Sequence, residues 1–133
     1  MKKLGFIVNP IAGMGGAVGL KGTDGKAILK KARILGAKLT APKKAKLFLS
    51  FLKSIKNEIQ IVTVKGIMGA SEVQNMGFSC KIFGESKDET TALDTMNAAK
   101  EILHEGVDLL VFCGGDGTAR NIMDVVDTCL PVL

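Results

Sequence analysis

The fold of this chain is decided by the stretch from residue 107 to residue 118, which reads Val107-Asp-Leu-Leu-Val-Phe-Cys-Gly-Gly-Asp-Gly-Thr118. Its first part is almost entirely apolar, which is typical of a strand buried on both faces of a parallel sheet. Glycines then stand on both sides of Asp116 and favour a tight, exposed turn. A helical pattern follows from Ala119 to Ile122. The stretch therefore predicts a buried strand, a loop at its carboxyl end and a helix.

The rest of the chain repeats this alternation of apolar strands and amphipathic helices. A short apolar run at Gly5–Asn9 predicts the first strand, and Pro10 ends it. Because the strands are apolar throughout, both faces of the sheet should be covered. We therefore expect an α/β fold of three layers, with a mostly parallel, Rossmann-like sheet and helices on both faces. Further strands are predicted at 59–65, 78–83 and 131–133, and helices at 28–35, 42–55, 92–103 and 122–126, with a small segment at 71–76.

The composition fits one globular domain. The chain has 133 residues, of which 47% are hydrophobic and 23% charged, and this balance excludes a disordered polymer. Three widely spaced cysteines and a single histidine, His104, predict neither a disulfide scaffold nor a zinc site. No segment has the length and apolar character of a signal peptide or a membrane span. We expect a cytoplasmic protein with reduced thiols, no metal-ligating cluster and no membrane partner.

Positive charge is concentrated in the first half of the chain. The net charge is +5, but residues 1–65 carry 14 basic and 2 acidic side chains, whereas residues 66–133 carry 4 and 11. Such a field suits a phosphate-bearing ligand or a nucleic acid. Most of the lysines alternate with apolar positions at helical spacing, which favours solvated helix faces, and Trp and Tyr are absent as stacking platforms. We therefore expect nucleotides and not nucleic acids as partners; tight, salt-sensitive binding to a duplex or single strand would indicate the opposite.

Two glycine-rich loops follow predicted strands, and in open parallel sheets such loops form the ligand site. The first loop, Asn9–Gly19, does not match a dinucleotide fingerprint, because Val18 stands where the third glycine belongs. It does not match a Walker A loop either, because Gly25-Lys26 is followed by Ala27. Its glycines would still let backbone N–H groups approach an anion closely. A phosphate-binding loop and a merely flexible connection both remain open.

The second loop, Gly114–Thr118, is the more specific of the two. A carboxylate isolated at Asp116 can accept a proton from a hydroxyl or help to hold a metal. Thr118 is predicted to cap the following helix, so that the free N–H groups of that helix would face an anion. The alternative is a connecting turn with an incidental aspartate, which the run Gly-Gly-Asp-Gly-Thr after a buried strand makes the weaker interpretation.

Together the two loops resemble those of a known family. The GGDGT motif at 114–118, joined to a first strand that ends Val8-Asn9-Pro10, is similar to the ATP-NAD kinases and the related diacylglycerol and sphingosine kinases. The long loop with Gly-Met-Gly-Gly at 13–16 and Lys-Gly-Thr-Asp-Gly at 21–25 resembles the archaeal and bacterial AcoX-like branch of ATP-NAD kinases. The resemblance implies ATP-dependent phosphorylation of the 2′-hydroxyl of NAD, with ATP, Mg²⁺ and NAD as ligands. It also implies that Asp116 is the catalytic base and that the nucleotide phosphates are lined by Asn9, Gly13, Gly15, Gly16, Gly114, Gly115, Gly117 and Thr118.

Domain organisation and the remaining alternatives also follow from this resemblance. Family members are considerably longer and carry a second, mostly β domain. Residues 1–133 are therefore expected to be an N-terminal nucleotide-binding domain, truncated before the C-terminal β domain, inactive alone and homo-oligomeric. Arg120 is either a phosphate contact or an ordinary exposed arginine. The alternatives are a diacylglycerol-type lipid kinase, whose first loop usually differs from Ala12–Gly15, and a non-catalytic nucleotide-binding or regulatory module in which Asp116 does nothing.

Overall fold

The computed structural model of the chain describes residues 1–12 and 40–133. The helix predicted at 28–35 and the predicted phosphate contacts Gly13, Gly15 and Gly16 lie outside the described residues. In the described part, strands and helices alternate as predicted. The strands are β1 (Lys2–Val8), β2 (Ile59–Val64), β3 (Ser79–Phe83) and β4 (Leu109–Cys113); the helices are α1 (Ala41–Phe51), α2 (Ala70–Val73), α3 (Ala92–His104) and α4 (Asp116–Val126), with 3₁₀ turns at Lys53–Ile55 and Gly66–Met68.

The four strands form one sheet in the order β3-β2-β1-β4, and every neighbouring pair is parallel. Gly5 of β1 lies opposite Val62 of β2 and Leu110 of β4, which sets the register of the three strands. The predicted strand at 131–133 extends this sheet, because Val132 forms a parallel bridge with Leu110. The backbone N–H of Leu110 donates to the carbonyl of Pro131 at 3.0 Å. The sheet therefore continues beyond β4.

Helices cover both faces of this sheet. Leu4, Phe6 and Val8 of β1 point to one face, where they pack with α1 and α2, whereas Ile7 points to the opposite face and packs with α3 and α4. The ring of Phe6 stacks on that of Phe48 from α1, with centroids 6.1 Å apart. This alternation along one strand is the direct sign of a three-layer α/β fold, so the predicted fold class is confirmed. None of the described helices combines the length and apolar character that crossing a membrane requires.

Strand β3 departs from the prediction of full burial. Residues 79–82 are exposed, and only Phe83 is partly buried. β3 has a described neighbour on one side only, β2, so it lies at the edge of the described sheet. Its composition fits this place, since Lys81 stands in its middle and edge strands often carry lysine.

Helix α1 also ends earlier than predicted. Pro42 stands in its first turn, where the missing N–H costs no hydrogen bond. The predicted apolar face ran on to Ile55, but the α-helix ends at Phe51 and the chain tightens into a 3₁₀ turn. Ile55 is consequently 39% exposed and does not belong to the core.

The packing of α3 on the sheet depends on the absence of a side chain at Gly5. A Cβ atom at this position would lie 2.5 Å from Cγ2 of Ile102 and 3.2 Å from Cδ1 of Leu110. Ile102 and Leu110 are both fully buried, so neither side chain has room to move aside. Gly5 therefore sets how closely α3 approaches β1.

We expect Gly5→Ala to lower the free energy of unfolding by about 1–3 kcal/mol, because the added methyl overpacks this contact. Urea unfolding would measure the loss. Ile102→Ala removes the obstructing methyl, so the loss in the double variant should be smaller than the sum of the two single losses. Strict additivity would mean that the two residues do not meet.

Candidate functional site

The carboxyl ends of β1 and β4 lie side by side at the middle of the sheet. Val8 pairs with Cys113, and the backbone N–H of Asn9 then donates to the Cys113 carbonyl at 2.9 Å. From β1 the chain goes on to β2 and β3 on one side, whereas β4 returns to the other side of β1. Ligands of open parallel sheets bind at this reversal of strand order, where two loops diverge and leave a crevice. The two predicted loops therefore start at the place where the topology favours a site.

Asn9 joins the two loops through its side chain. Its Nδ2 donates to Oγ1 of Thr118 at 3.0 Å, and its Oδ1 accepts from the backbone N–H of Ile11 at 3.3 Å. Its carbonyl accepts from the N–H of Ala12 at 3.1 Å. Both predicted site residues are thus brought together, and the Asn9 side chain links the end of β1 and the following residues up to Ala12 to the start of α4.

Thr118 does not cap α4, contrary to the prediction. The helix begins two residues earlier, at Asp116, and its N-cap is Gly115, which has no side chain for capping. Thr118 is the third residue of the helix and is only 4% exposed. Its hydroxyl oxygen accepts a hydrogen bond from the Asn9 amide. Thr118 therefore links the start of α4 to the residue that follows β1. Its predicted contact with phosphate stays a prediction.

The two glycines before Asp116 have different surroundings. A Cβ atom at Gly114 would lie 2.6 Å from Oγ1 and 2.7 Å from Cβ of Thr118, so a side chain there would push apart the bonded loops. A Cβ atom at Gly115 would meet no atom of residues 1–12 or 40–133 within 4 Å. Gly114 is therefore required for packing, whereas no described residue crowds Gly115.

The first turn of α4 presents backbone donors and charged side chains beside Gly115. The N–H of Ala119 makes the first intrahelical bond, to the Gly115 carbonyl at 3.0 Å. The N–H groups of Asp116, Gly117 and Thr118 precede it and have no acceptor within the helix, so they carry the positive end of the helix dipole. Asp116 and Arg120 are exposed and lie one turn apart on the same face. This arrangement can bind an anion and offer a carboxylate beside it.

Glu72 is a buried carboxyl near Cys113, at the carboxyl end of β4, and the sequence did not reveal it. It lies on α2, is 3% exposed, and its Oε2 has no hydrogen-bond partner in the part of the chain that the structure describes. Burial raises the pKa of Glu72 from 4.5 to about 7, against a backbone hydrogen bond and the Lys46 ammonium, which both lower it. Burial also raises the pKa of the Cys113 thiol, and the Glu72 carboxylate adds to that rise. No motif marks this residue, because its burial depends on how α2 packs against α1.

The described residues show no ready-made metal centre. Within residues 1–12 and 40–133, no three His, Cys, Asp or Glu side chains are grouped closely enough to hold an ion. A Mg²⁺ ion that arrives on nucleotide phosphates needs only one or two carboxylates from the protein. Asp116, exposed beside the free N–H groups, fits that requirement.

Gly114→Ala and Gly115→Ala form a matched pair at this site. We expect Gly114→Ala to lower the free energy of unfolding by about 1–3 kcal/mol, because its methyl collides with Thr118. The NMR signals of the Asn9 side-chain amide should shift in that variant as its hydrogen bond is disturbed. Gly115→Ala should cost less than about 1 kcal/mol, the usual cost of alanine at an N-cap. Equal losses in urea unfolding would contradict the packing role of Gly114.

The pH dependence of stability tests the state of Glu72. Because the folded-state pKa is raised from 4.5 to about 7, the folded protein keeps a proton that the unfolded chain loses between these values. Stability should therefore fall as pH rises from 4.5 to 7, and the loss is complete above 7. We expect Glu72→Gln, which carries no charge, to be more stable than the parent at pH 8 by up to about 3 kcal/mol, and to lose this advantage below pH 4.5.

The control for this measurement is Glu58→Gln, since Glu58 is an exposed glutamate in the turn before β2. The free energy of unfolding of this variant should have the same pH dependence as that of the parent. If the free energy of unfolding of Glu72→Gln changed with pH in parallel with that of the parent, Glu72 would not titrate between pH 4.5 and pH 7 in the folded protein.

Comparison with known proteins agrees with the motifs. A family model described as the ATP-NAD kinase N-terminal domain matches residues 4–133. Comparisons with curated proteins and with solved structures gave no match. The matched range contains the Asn9 and Gly114–Thr118 loops and every described helix. Because the match covers nearly the whole sequence, the chain belongs to the ATP-NAD kinase family and corresponds to its N-terminal domain.

Proposed function

We propose that this domain takes part in transfer of the γ-phosphoryl group of ATP to the 2′-hydroxyl of NAD, which yields NADP and ADP. Membership in the ATP-NAD kinase family supports a kinase function in general. The observation that carries the specific proposal is the exposed Asp116 carboxylate at the start of α4, beside three backbone N–H groups without acceptors in the helix. Phosphoryl transfer needs little from a protein beyond such positioning of a hydroxyl and of phosphates.

In the proposed step, Asp116 accepts the proton of the attacking hydroxyl. The 2′-oxygen forms a bond to the γ-phosphorus as the bond from that phosphorus to the β-bridging oxygen breaks, and ADP leaves with the electron pair. A carboxylate used in this way must reach the hydroxyl, and no described residue lies close enough to Gly115 to keep a ribose from approaching Asp116 there.

The phosphates are proposed to lie at the N-terminus of α4. Its free N–H groups and the exposed Arg120 offset the negative charge that builds up on the transferring group. Mg²⁺, bound with the nucleotide and held by Asp116, would supply further charge neutralisation. Asn9 and Thr118 hold the two loops together beneath this place, and Gly13, Gly15 and Gly16 remain part of the proposed phosphate-binding surface.

We propose that this domain works together with a second domain of a longer chain. A second, mostly β domain would supply much of the NAD site, so little turnover is proposed for residues 1–133 alone. A cytoplasmic location is proposed as well, and it is supported by the three cysteines, Cys80, Cys113 and Cys129, all of which are free thiols. Incubation of the 133-residue chain with ATP, Mg²⁺ and NAD, followed by an NADP assay, tests the first of these points; rapid turnover would contradict it.

Asp116→Asn tests the catalytic role in the complete protein that contains this domain. The variant keeps the shape of the side chain but cannot accept the proton, so we expect kcat for NADP formation to fall by about 100-fold or more. The Kd values of ATP and NAD, measured without Mg²⁺, should change little.

Asp124→Asn is the matched control, because Asp124 is also exposed on α4 but lies two turns away from the site. It should leave kcat unchanged. If Asp116→Asn also left kcat unchanged, the domain would be a non-catalytic nucleotide-binding module. If the complete protein phosphorylated a diacylglycerol and not NAD, the lipid-kinase alternative would hold.

A further inference from the structure

Helix α1 carries exposed apolar side chains on the side that faces away from the sheet. Its buried row consists of Ala41, Ala45 and Leu49, which are at most 4% exposed. Leu47 and Phe51 lie one turn apart on the opposite side of the helix and are 60% and 74% exposed. Because α1 is already anchored through its buried row, these two side chains contribute little to the folded core.

The 3₁₀ turn after α1 adds a third apolar side chain to this part of the surface. Ile55 ends that turn and is 39% exposed. Single exposed apolar residues are normal on a soluble protein, whereas a group of them marks a place where another molecule binds. Leu47, Phe51 and Ile55 follow one another at intervals of four residues and form such a group.

Lysines surround these apolar side chains, and no acidic residue offsets them. Residues 40–57 contain five lysines and neither aspartate nor glutamate. None of the five forms a salt bridge within residues 1–12 and 40–133. Four of them are exposed and the last is half-buried. We call the three apolar residues and these lysines the α1 face; the lysines are Lys43, Lys44, Lys46, Lys53 and Lys56.

The charge of the α1 face disfavours two occupants that the chain itself could supply. Residues 13–39 carry six basic side chains and one acidic side chain, so their charge would repel the α1 face. A second copy that packed through the same face would bring its own five lysines against these five, and like charges in one interface are costly. The complementary occupant is therefore anionic.

The apolar side chains indicate which kind of anionic surface fits. Nucleic acid can take the lysines, but it offers no apolar layer for Leu47 and Ile55. Protein–protein interfaces are depleted in lysine. An anionic phospholipid bilayer offers both parts, since its charged headgroups lie directly above an apolar layer. Lysine side chains can lay their apolar stems along such a boundary and keep the ammonium among the headgroups.

Contact through the α1 face would leave the candidate functional site accessible. α1 covers the sheet face to which Leu4 and Phe6 point, whereas α4, which begins at Asp116, packs on the opposite face. The expectation of no membrane partner was based on the lack of an apolar segment long enough to cross a bilayer. A surface contact of this kind needs no such segment.

We propose that the α1 face docks the domain reversibly on an anionic phospholipid surface. Leu47 and Phe51 enter the boundary between headgroups and acyl chains, and the surrounding lysines contact the headgroups. The inference goes beyond the proposed function and does not depend on it, because no residue of the phosphotransfer site takes part.

Co-sedimentation of the 133-residue chain with lipid vesicles tests this inference. The chain should bind vesicles made of equal parts of phosphatidylserine and phosphatidylcholine, but not vesicles of phosphatidylcholine alone. Lys43→Gln should weaken binding about fivefold, the worth of one lysine near an anionic membrane. Phe51→Gln should weaken it about tenfold, because the ring no longer enters the bilayer. Both side chains are exposed, so urea unfolding of the two variants should match that of the parent.

Lys100→Gln and Leu93→Gln are the matched controls. Both residues are exposed on α3, which packs on the opposite face of the sheet, and Leu93 is 62% exposed, much as Leu47 is. Neither variant should change vesicle binding. A loss in the controls equal to that in the α1 variants would overturn the inference.

Fluorescence measures whether the α1 face enters the bilayer. The chain has no tryptophan, so Phe51→Trp introduces a single reporter. Its emission should move to shorter wavelength when vesicles that contain phosphatidylserine are added, because the indole leaves water. The emission of Leu93→Trp should stay where it is. An unshifted emission from Phe51→Trp with the chain bound to the vesicles would overturn the inference, since binding would then rest on charge alone.

Two further measurements distinguish the other occupants. If the chain bound a single-stranded oligonucleotide but not the vesicles, and Phe51→Gln weakened that binding, the α1 face would be a nucleic-acid surface. If sedimentation velocity without lipid showed a dimer that Phe51→Gln converted to a monomer, a second copy would cover the α1 face. Either result would overturn the membrane proposal.

Discussion

The parallel pairing of β1 with β4 is the interaction on which the rest of the structure depends. It places the ends of Val8 and Cys113 side by side, and the bond from the Asn9 N–H to the Cys113 carbonyl extends the pairing to the point where the loops diverge. At the other end of the two strands, the Lys3 N–H donates to the Asp108 carboxylate at 2.8 Å. The strands are thus fixed at both ends, so the start of α4 has a defined position relative to Asn9, the first residue after β1.

A division of labour within the site follows from this pairing. Residues that sequence patterns would group together have separate tasks: Asn9 and Thr118 bond to each other and hold the loops, whereas Asp116 and Arg120 remain exposed. Gly114 makes room for Thr118, and no described residue crowds Gly115. Group-transfer chemistry requires a firmly held backbone that carries exposed polar side chains, because the positioning of reacting groups supplies much of the rate enhancement.

Most of the fold could be predicted from local patterns, since uniform apolar runs and helical spacing are properties of short segments. What could not be predicted depends on partners far away in the sequence. The pattern at Thr118 indicates a cap, but Asn9, at the end of the neighbouring strand β1, donates a hydrogen bond to the Thr118 hydroxyl. The exposure of β3 follows from its place at the edge, which strand order decides. Glu72 stands in an unremarkable segment and becomes a buried carboxyl only when α2 packs against its neighbours.

The bond between Asn9 and Thr118 joins residues that are 109 positions apart. Contacts of such long range form late in folding, because the entropy of closing the intervening loop has to be overcome first. β1 can pair early with β2, but its other edge stays open until β4 is made and docks. A growing chain would therefore form the β1–β2 side of its sheet first, and the contact between Asn9 and Thr118 would form only when β4 docks.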